Sequence, residues 1–166
     1  MKVITELQVK LIGREEVRLR APCSENLKAN LLYLKAHDHY YRFTREDNAA
    51  SRRLLKKAID QDSEYACAYS MLGGTYRVDV YLGTAESPKQ SIATAKKMFE
   101  KAIDLNPSLA GPHAALASIY CQMGQYEQAI VEAEKALAIN PDSVLANGEM
   151  GNVLYSSGRS KFDSFF

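Results

Sequence analysis

The sequence predicts an all-α protein assembled from antiparallel helical hairpins. Between residues 110 and 143, small and apolar residues recur at three- and four-residue spacing in two successive segments, the period of a helix with one buried face. Gly124 separates the segments, where a glycine in the left-handed conformation would end the first helix. Pro141 follows the second segment, and proline cannot continue a helix. One hairpin cannot bury its apolar face alone, so we expect several.

Residues 1–22 are predicted to form an N-terminal amphipathic helix or connector. Val3, Ile4, Leu7 and Leu11 share one stripe of such a helix. Pro22 would end it. Two interpretations stay open: the helix packs on the first hairpin, or it connects to an upstream domain.

Residues 24–65 are predicted to form a divergent hairpin, the first unit of a helical array spanning residues 24–166. Ser24 is a candidate cap for its first helix, and Thr44 for its second. Glu46 and Asp47 follow Thr44, where acidic side chains favour the positive end of a helix dipole.

Residues 66–109 are predicted to form a second hairpin, longer than the next. The additional residues lie between its helices, from Val78 to Glu86, with a turn expected at Gly83. Ser87 and Pro88 give the following helix a cap and a suitable first residue. The insertion is either a binding element or a tolerated loop, and the sequence favours neither.

Residues 144–166 begin another hairpin and then depart from the pattern. Gly158 repeats the turn glycine, but Asp163 stands where a small apolar residue is expected. Phe162, Phe165 and Phe166 would be left exposed on a half-formed helix. This segment is interpreted either as truncated or as a surface for self-association, giving a possible homodimer.

The best-formed unit, residues 110–143, resembles the tetratricopeptide repeat, which is about 34 residues long. The resemblance rests on residues that are in register with the pattern of that family, namely Leu116, Ala117, Tyr120, Gly124, Tyr126, Ala129, Ala136 and Pro141. It implies a right-handed superhelix of about three and a half hairpins. It also implies that the first helices of successive hairpins line a concave groove where protein or peptide partners bind.

On this chain the implied groove is mostly small and neutral. Its candidate residues are Cys67, Ser70, Gly74, Arg77, Gly111, Ala114, Ser118, Gln122, Leu145, Asn152 and Tyr155. One subclass of the family grips C-terminal carboxylates with lysine and asparagine side chains in this groove. Only Arg77 and Asn152 are comparable here, so chaperone-tail binding of that type is not expected.

A second resemblance covers roughly the first 60 residues. The runs Ile4–Leu11, Ser24–Ala29 and Tyr33–Arg42 are similar to the segment that joins output domains to tetratricopeptide repeats in bacterial class III adenylate/guanylate cyclases. Ala36 stands where those proteins commonly have glycine, and cyclase catalytic residues are absent from the sequence. The resemblance therefore implies a regulatory module and carries over no activity.

The sequence gives little sign of catalysis, and no enzyme activity, metal or cofactor is expected. His37 and His39 are two positions apart, so on a helix they point to opposite sides. Gly73 and Gly74 lack the lysine pattern of a phosphate-binding loop. The three cysteines are far apart and odd in number, which argues against disulfides and zinc and favours a reducing compartment.

Charge and hydropathy limit the classes of partner that we expect. The 21 basic and 20 acidic side chains leave a net charge of +1, which does not favour nucleic acid or an anionic membrane. No apolar run approaches the roughly 20 residues of a membrane span.

The sequence predicts a cytoplasmic protein-interaction module, part of a bacterial signalling protein. Two alternatives stay open: an adaptor that homodimerises through its C-terminal end, and an enzyme regulator that binds a small molecule or lipid.

Overall fold

The computed structural model describes residues 23–158, and this part of the chain is entirely helical apart from turns and short links. The predicted all-α class is confirmed. The predicted N-terminal helix and the candidate self-association residues Phe162, Phe165 and Phe166 lie outside the described residues. The seven described helices are α1 (Leu27–Tyr40), α2 (Arg45–Gln61), α3 (Ala66–Tyr81), α4 (Pro88–Leu105), α5 (Ala110–Gln122), α6 (Tyr126–Ile139) and α7 (Val144–Ser156).

The helices pair as three antiparallel hairpins, α1–α2, α3–α4 and α5–α6, followed by α7. Each second helix also packs on the first helix of the next hairpin, which makes a continuous array. The predicted turn glycines have left-handed backbones, with φ of 67° at Gly83, 72° at Gly124 and 69° at Gly158. None of the described helices is long and apolar enough to cross a membrane.

Polar caps fix where several helices begin. The hydroxyl of Thr44 accepts a hydrogen bond from the backbone of Asp47, and that of Ser87 accepts one from Gln90, as expected for caps of α2 and α4. Ser24 is not the cap of α1. That helix begins later, and the side chain of Asn26 caps it.

Close helix contacts depend on residues with little or no side chain. Ala117 of α5 and Ala129 of α6 are both fully buried. At Gly73 of α3, an added Cβ would lie 2.9 Å from the ring of Phe99 and 3.0 Å from the backbone oxygen of Ala95. Two antiparallel helices can approach this closely only where the facing side chains are short.

The longer second hairpin is fastened to the first by polar groups. Helix α3 continues to Tyr81, and the backbone N–H of Thr84 then donates to the carbonyl oxygen of Asp79. The Asp79 carboxylate accepts hydrogen bonds from Asn48 and Arg52, both on α2. The insertion therefore begins as an ordered extension of α3.

The expectation that the cysteines are unpaired is wrong. A disulfide joins Cys23 to Cys67, with Cα atoms 6.0 Å apart, and only Cys121 among the described cysteines is free. The two residues are far apart in sequence, but the first hairpin returns the start of α3 to the segment before α1. Linear spacing could not show this, and the inference of a reducing compartment loses its support.

We predict that Cys23→Ser lowers the free energy of unfolding of the oxidised protein by about 2–4 kcal/mol, because the disulfide restricts the unfolded chain. Urea unfolding followed by circular dichroism measures this. Cys121→Ser is the matched control and should change stability little. Equal stability of Cys23→Ser and the oxidised wild type would contradict the prediction.

We also predict that Gly73→Ala destabilises the protein by about 1–3 kcal/mol, because the new methyl group overpacks the contact with α4. Gly111→Ala is the control, since an added Cβ there meets no atom within 4 Å. Thermal unfolding of both variants should show a lower midpoint for Gly73→Ala alone. Similar midpoints would show that the contact is looser than described.

Candidate functional site

The first helices of successive hairpins lie side by side on one face of the array. Gly74 of α3 leaves room for Tyr40 of α1, whose hydroxyl oxygen would lie 2.7 Å from a Cβ at that position. Farther along, Nη2 of Arg77 on α3 donates to the Ser118 hydroxyl of α5, 2.8 Å away. Helices α1, α3 and α5 therefore share a surface, as the groove hypothesis requires.

At the centre of this surface is a group of four side chains, Tyr40, Arg77, Tyr81 and Ser118, which we call the Arg77 cluster. Nη2 of Arg77 also donates to the hydroxyl of Tyr81, 2.6 Å away. The guanidinium carbon lies 5.6 Å from the centre of the same ring. Nε of Arg77 is buried and has no hydrogen-bond partner. The guanidinium is therefore held in place by neutral groups, and its positive charge is not paired with a carboxylate in any described contact.

Tyr40 adds a hydroxyl group to this cluster. Burial raises the pKa of Tyr40, the nearby Tyr41 and Tyr81 hydroxyls act in the same direction, and Arg77 opposes them. The hydroxyl is consequently protonated at neutral pH and can donate a hydrogen bond. A cation beside tyrosine hydroxyls suits an anionic group on a ligand.

The structure places the predicted groove residues in three different environments. Ser70, Gly74 and Arg77 are half-buried on α3. Five others are exposed, namely Gly111, Gln122, Leu145, Asn152 and Tyr155. The prediction is wrong for the remaining three, Cys67, Ala114 and Ser118.

These three do not present free side chains to a groove. The thiol of Cys67 is used in the disulfide. Ala114 has 0% exposure and packs with Ala136 of α6 and Ala146 of α7. Ser118 has 6% exposure and its hydroxyl accepts from Arg77. The face of α5 turned toward its neighbours is more deeply covered than helical spacing alone indicates.

Two members of the Arg77 cluster were absent from the predicted groove. Tyr40 was missed because α1 lacks the leucine–glycine pair that sets the register in the next hairpin. Ala36 occupies the position on α1 that Gly73 occupies on α3. Tyr40 lies four positions after Ala36, just as Arg77 lies four positions after Gly73. Tyr81 was associated with the inserted stretch, but that stretch begins as the last turn of α3.

A second polar cluster joins α5 to α6. Nδ1 of His113 lies 2.6 Å from Oε2 of Glu132, and Nζ of Lys135 donates to Oε1 of Glu132 across 2.7 Å. Burial would raise the pKa of Glu132, but hydrogen bonds from His113 and Lys135 outweigh it and hold the pKa below its ordinary value. No group of three or more metal-ligating side chains occurs among residues 23–158.

Family models identify tetratricopeptide repeats in this chain. A model described as "TPR repeat" matches residues 117–158, and two described as "Tetratricopeptide repeat" match residues 98–131 and 82–109. The matched regions contain the turn glycines Gly83, Gly124 and Gly158 and the alanines that pack α5 against α6.

Known proteins are similar to parts of the chain or to its fold. "Small glutamine-rich tetratricopeptide repeat-containing protein 2" of Mycosarcoma maydis is 32% identical over 77 residues, 46% of this chain. The match spans 22% of that relative's length.

Two solved structures share the fold at lower identity. The first TPR of Spaghetti (RPAP3), bound to the HSP90 peptide SRMEEVD, has a TM-score of 0.64 at 16% identity, over 83% of this chain and 99% of that one. Thermobaculum terrenum O-GlcNAc transferase has a TM-score of 0.62 at 23% identity, over 76% of this chain and 22% of that one. The described chain thus has an all-α, TPR-like superhelical fold.

We predict that Glu132→Gln reduces the acid sensitivity of the fold. A carboxyl whose pKa is lowered by folding stabilises the protein above its ordinary pKa of about 4.3, and this contribution is lost as the pH falls below that value. Urea midpoints at pH 6 and pH 3.5 measure the loss. The difference between the two pH values should be smaller in Glu132→Gln than in the wild type, whereas an equal difference would contradict the prediction.

Proposed function

We propose that this chain, which carries tetratricopeptide repeats between residues 82 and 158, is a protein-interaction module that binds an acidic peptide segment on the face formed by α1, α3 and α5. The observation that supports this most directly is the Arg77 guanidinium, which neutral groups hold in place on that face. Among the eleven predicted groove residues it is the only charged one. A single fixed cation on a neutral surface favours a ligand that brings one negative charge to that position.

One solved neighbour supports the general mode of binding. The Spaghetti (RPAP3) domain is bound to a peptide, SRMEEVD, that contains acidic residues. That domain resembles this chain in fold only. The proposal of an acidic peptide therefore rests on the Arg77 cluster. The cluster contains tyrosines and one arginine, residue types that commonly supply much of the binding energy at interfaces.

Finer predictions from the sequence remain proposals. The resemblance to bacterial cyclase-type proteins motivates a role as the regulatory part of a signalling protein, and a cytoplasmic location belongs to the same hypothesis. Self-association through Phe162, Phe165 and Phe166 and regulation by a small molecule or lipid are alternatives. A native band heavier than the 18.5 kDa chain, containing peptides that precede Met1, would support the regulatory-part hypothesis.

Peptides selected from a random displayed library on the immobilised full chain would supply the probes. We predict that the selected sequences are enriched in Asp and Glu. Labelled peptides should then bind the Arg77→Gln variant about tenfold or more weakly in fluorescence anisotropy, because a hydrogen-bonded charge pair is lost. Arg77→Lys keeps the positive charge but loses the planar guanidinium group. Its affinity for the peptides should therefore lie between that of the wild type and that of Arg77→Gln.

Arg53→Gln provides the matched control. Arg53 is an exposed arginine on α2, so this substitution removes the same charge from a different surface. Its affinity for the peptides should equal that of the wild type. Selected peptides without acidic residues, or unchanged binding by Arg77→Gln, would refute the proposed role of the cluster.

A further inference from the structure

Two exposed tyrosine rings adjoin the polar groups of the Arg77 cluster. Tyr81, itself a member of the cluster, is the last residue of α3 and is 58% exposed. Tyr41 directly follows the last residue of α1 and is 66% exposed. Its ring centre lies 5.3 Å from that of Tyr40, with the two rings edge to face. One exposed ring therefore borders the cluster on α1 and another on α3.

These rings and the guanidinium group form one continuous surface. The guanidinium carbon of Arg77 lies 5.6 Å from the centre of the Tyr81 ring. The hydroxyls of Tyr41 and Tyr81 both help to raise the pKa of Tyr40, which shows that they are within electrostatic range of it. A ligand group at the cation would consequently have an aromatic surface within reach of a neighbouring side chain.

The repeat architecture does not require these residue types. Ala117 of α5 aligns with Gly73 of α3, because each follows the leucine of its helix. Counted from these two residues, the positions of Arg77 and Tyr81 are occupied on α5 by Cys121 and Gln125. The third hairpin thus folds without a cation or an aromatic ring at these positions. Packing of the array therefore does not account for the arginine and the exposed ring of the second hairpin.

The charges around this surface favour an acidic ligand. Asp47, at the start of α2, is paired with His39. Asp79, in the last turn of α3, is paired with Arg52. Both of these carboxylates have cationic or hydrogen-bonding partners of their own, and neither contacts Arg77 in the described hydrogen bonds and ion pairs. The positive charge on this surface is therefore left for a ligand to balance.

A charge alone would bind such a ligand weakly. An ion pair formed at a surface contributes little affinity, because water and salt screen the attraction. Apolar groups packed beside the pair exclude water from it and add buried area of their own. Exposed tyrosine rings next to the cation are suited to this second contribution, since each ring buries a large apolar area with little loss of conformational freedom.

We propose that the acidic segment bound at Arg77 is extended and carries an aromatic or large aliphatic side chain two positions from its acidic residue. That side chain packs on the ring of Tyr81, and the ring of Tyr41 continues the aromatic surface across α1. The inference rests on the proposed function, because the carboxylate at Arg77 sets the register of the peptide. In an extended chain, side chains two positions apart point to the same side and are about 6.6 Å apart. This spacing is close to the 5.6 Å between the guanidinium carbon and the Tyr81 ring centre.

A displayed library of short peptides with a fixed central glutamate and random flanks tests the register. Sequences captured by the immobilised full chain should be enriched in Phe, Tyr, Trp, Leu and Ile two positions before or after the glutamate. The immobilised Arg77→Gln variant should capture few of them. Captured sequences without an apolar preference at either position would overturn this inference.

A double-mutant cycle then tests the contact with Tyr81. Each captured peptide is compared, by fluorescence anisotropy, with a version in which alanine replaces the apolar residue. Tyr81→Ala should weaken the apolar peptide about tenfold and the alanine version about twofold or less, because only the first loses a packed side chain. Tyr81→Phe loses the hydroxyl that accepts from Arg77 but keeps the ring, so it should keep the preference for the apolar peptide.

Val131→Ala is the matched control. Val131 is an apolar side chain on α6 with 48% exposure, so its truncation removes apolar surface away from the face formed by α1, α3 and α5. Its affinity for both peptides should equal that of the wild type. All variants should keep a wild-type circular dichroism spectrum, because the substituted side chains are exposed.

The outcomes separate this inference from the proposed function. Binding that depends on Arg77 but is equally strong for the apolar and alanine peptides would overturn the inference and leave the proposed function standing. An equal loss for the two peptides in Tyr81→Ala would do the same. Unchanged binding by Arg77→Gln, or a library from which the chain captures no peptide, would overturn both.

Discussion

The close crossing of two antiparallel helices is the interaction on which the rest of this structure depends. It requires short side chains where the helices meet, and the chain supplies Gly73 in one hairpin and Ala117 with Ala129 in the next. Larger residues such as Phe99, Leu116 and Ile119 then fill the space between hairpins. Because each hairpin leaves one apolar side for its neighbour, stacking is what makes the array stable.

This constraint also explains how the Arg77 cluster is positioned. Stacking brings α2 against α3, where Asn48 and Arg52 donate to Asp79. The guanidinium carbon of Arg52 also lies 4.3 Å from the centre of the Tyr76 ring. For a partly buried ion pair the desolvation cost offsets much of the attraction, so its main consequence is geometric. It fixes the last turns of α3, which carry Arg77 and Tyr81 toward α1 and α5.

The local pattern predicted the fold because the signals act over short distances. Helical spacing, the left-handed turn at Gly124 and the caps at Thr44 and Ser87 depend on neighbouring residues, so the sequence displays them directly. Features that arise when hairpins stack could not be predicted from neighbouring residues. The Cys23–Cys67 disulfide joins separate hairpins, and Ala114 is buried by Ala136 and Ala146 from two other helices. Tyr40 belongs to the site because Gly74, on a different helix, leaves room for it.

Tyr155 of α7 shows how far the proposed peptide surface depends on neighbouring helices. Tyr155 lies four positions after Gly151, as Arg77 lies four positions after Gly73, so it occupies the place on α7 that Arg77 occupies on α3. On α3 that side chain reaches across to α5, whereas on α7 it extends into solvent with 80% exposure. The position of a side chain on its own helix therefore does not decide its environment, because the next helix supplies the partner. The stacking that builds the array thus also determines which side chains on this face are held in a fixed position.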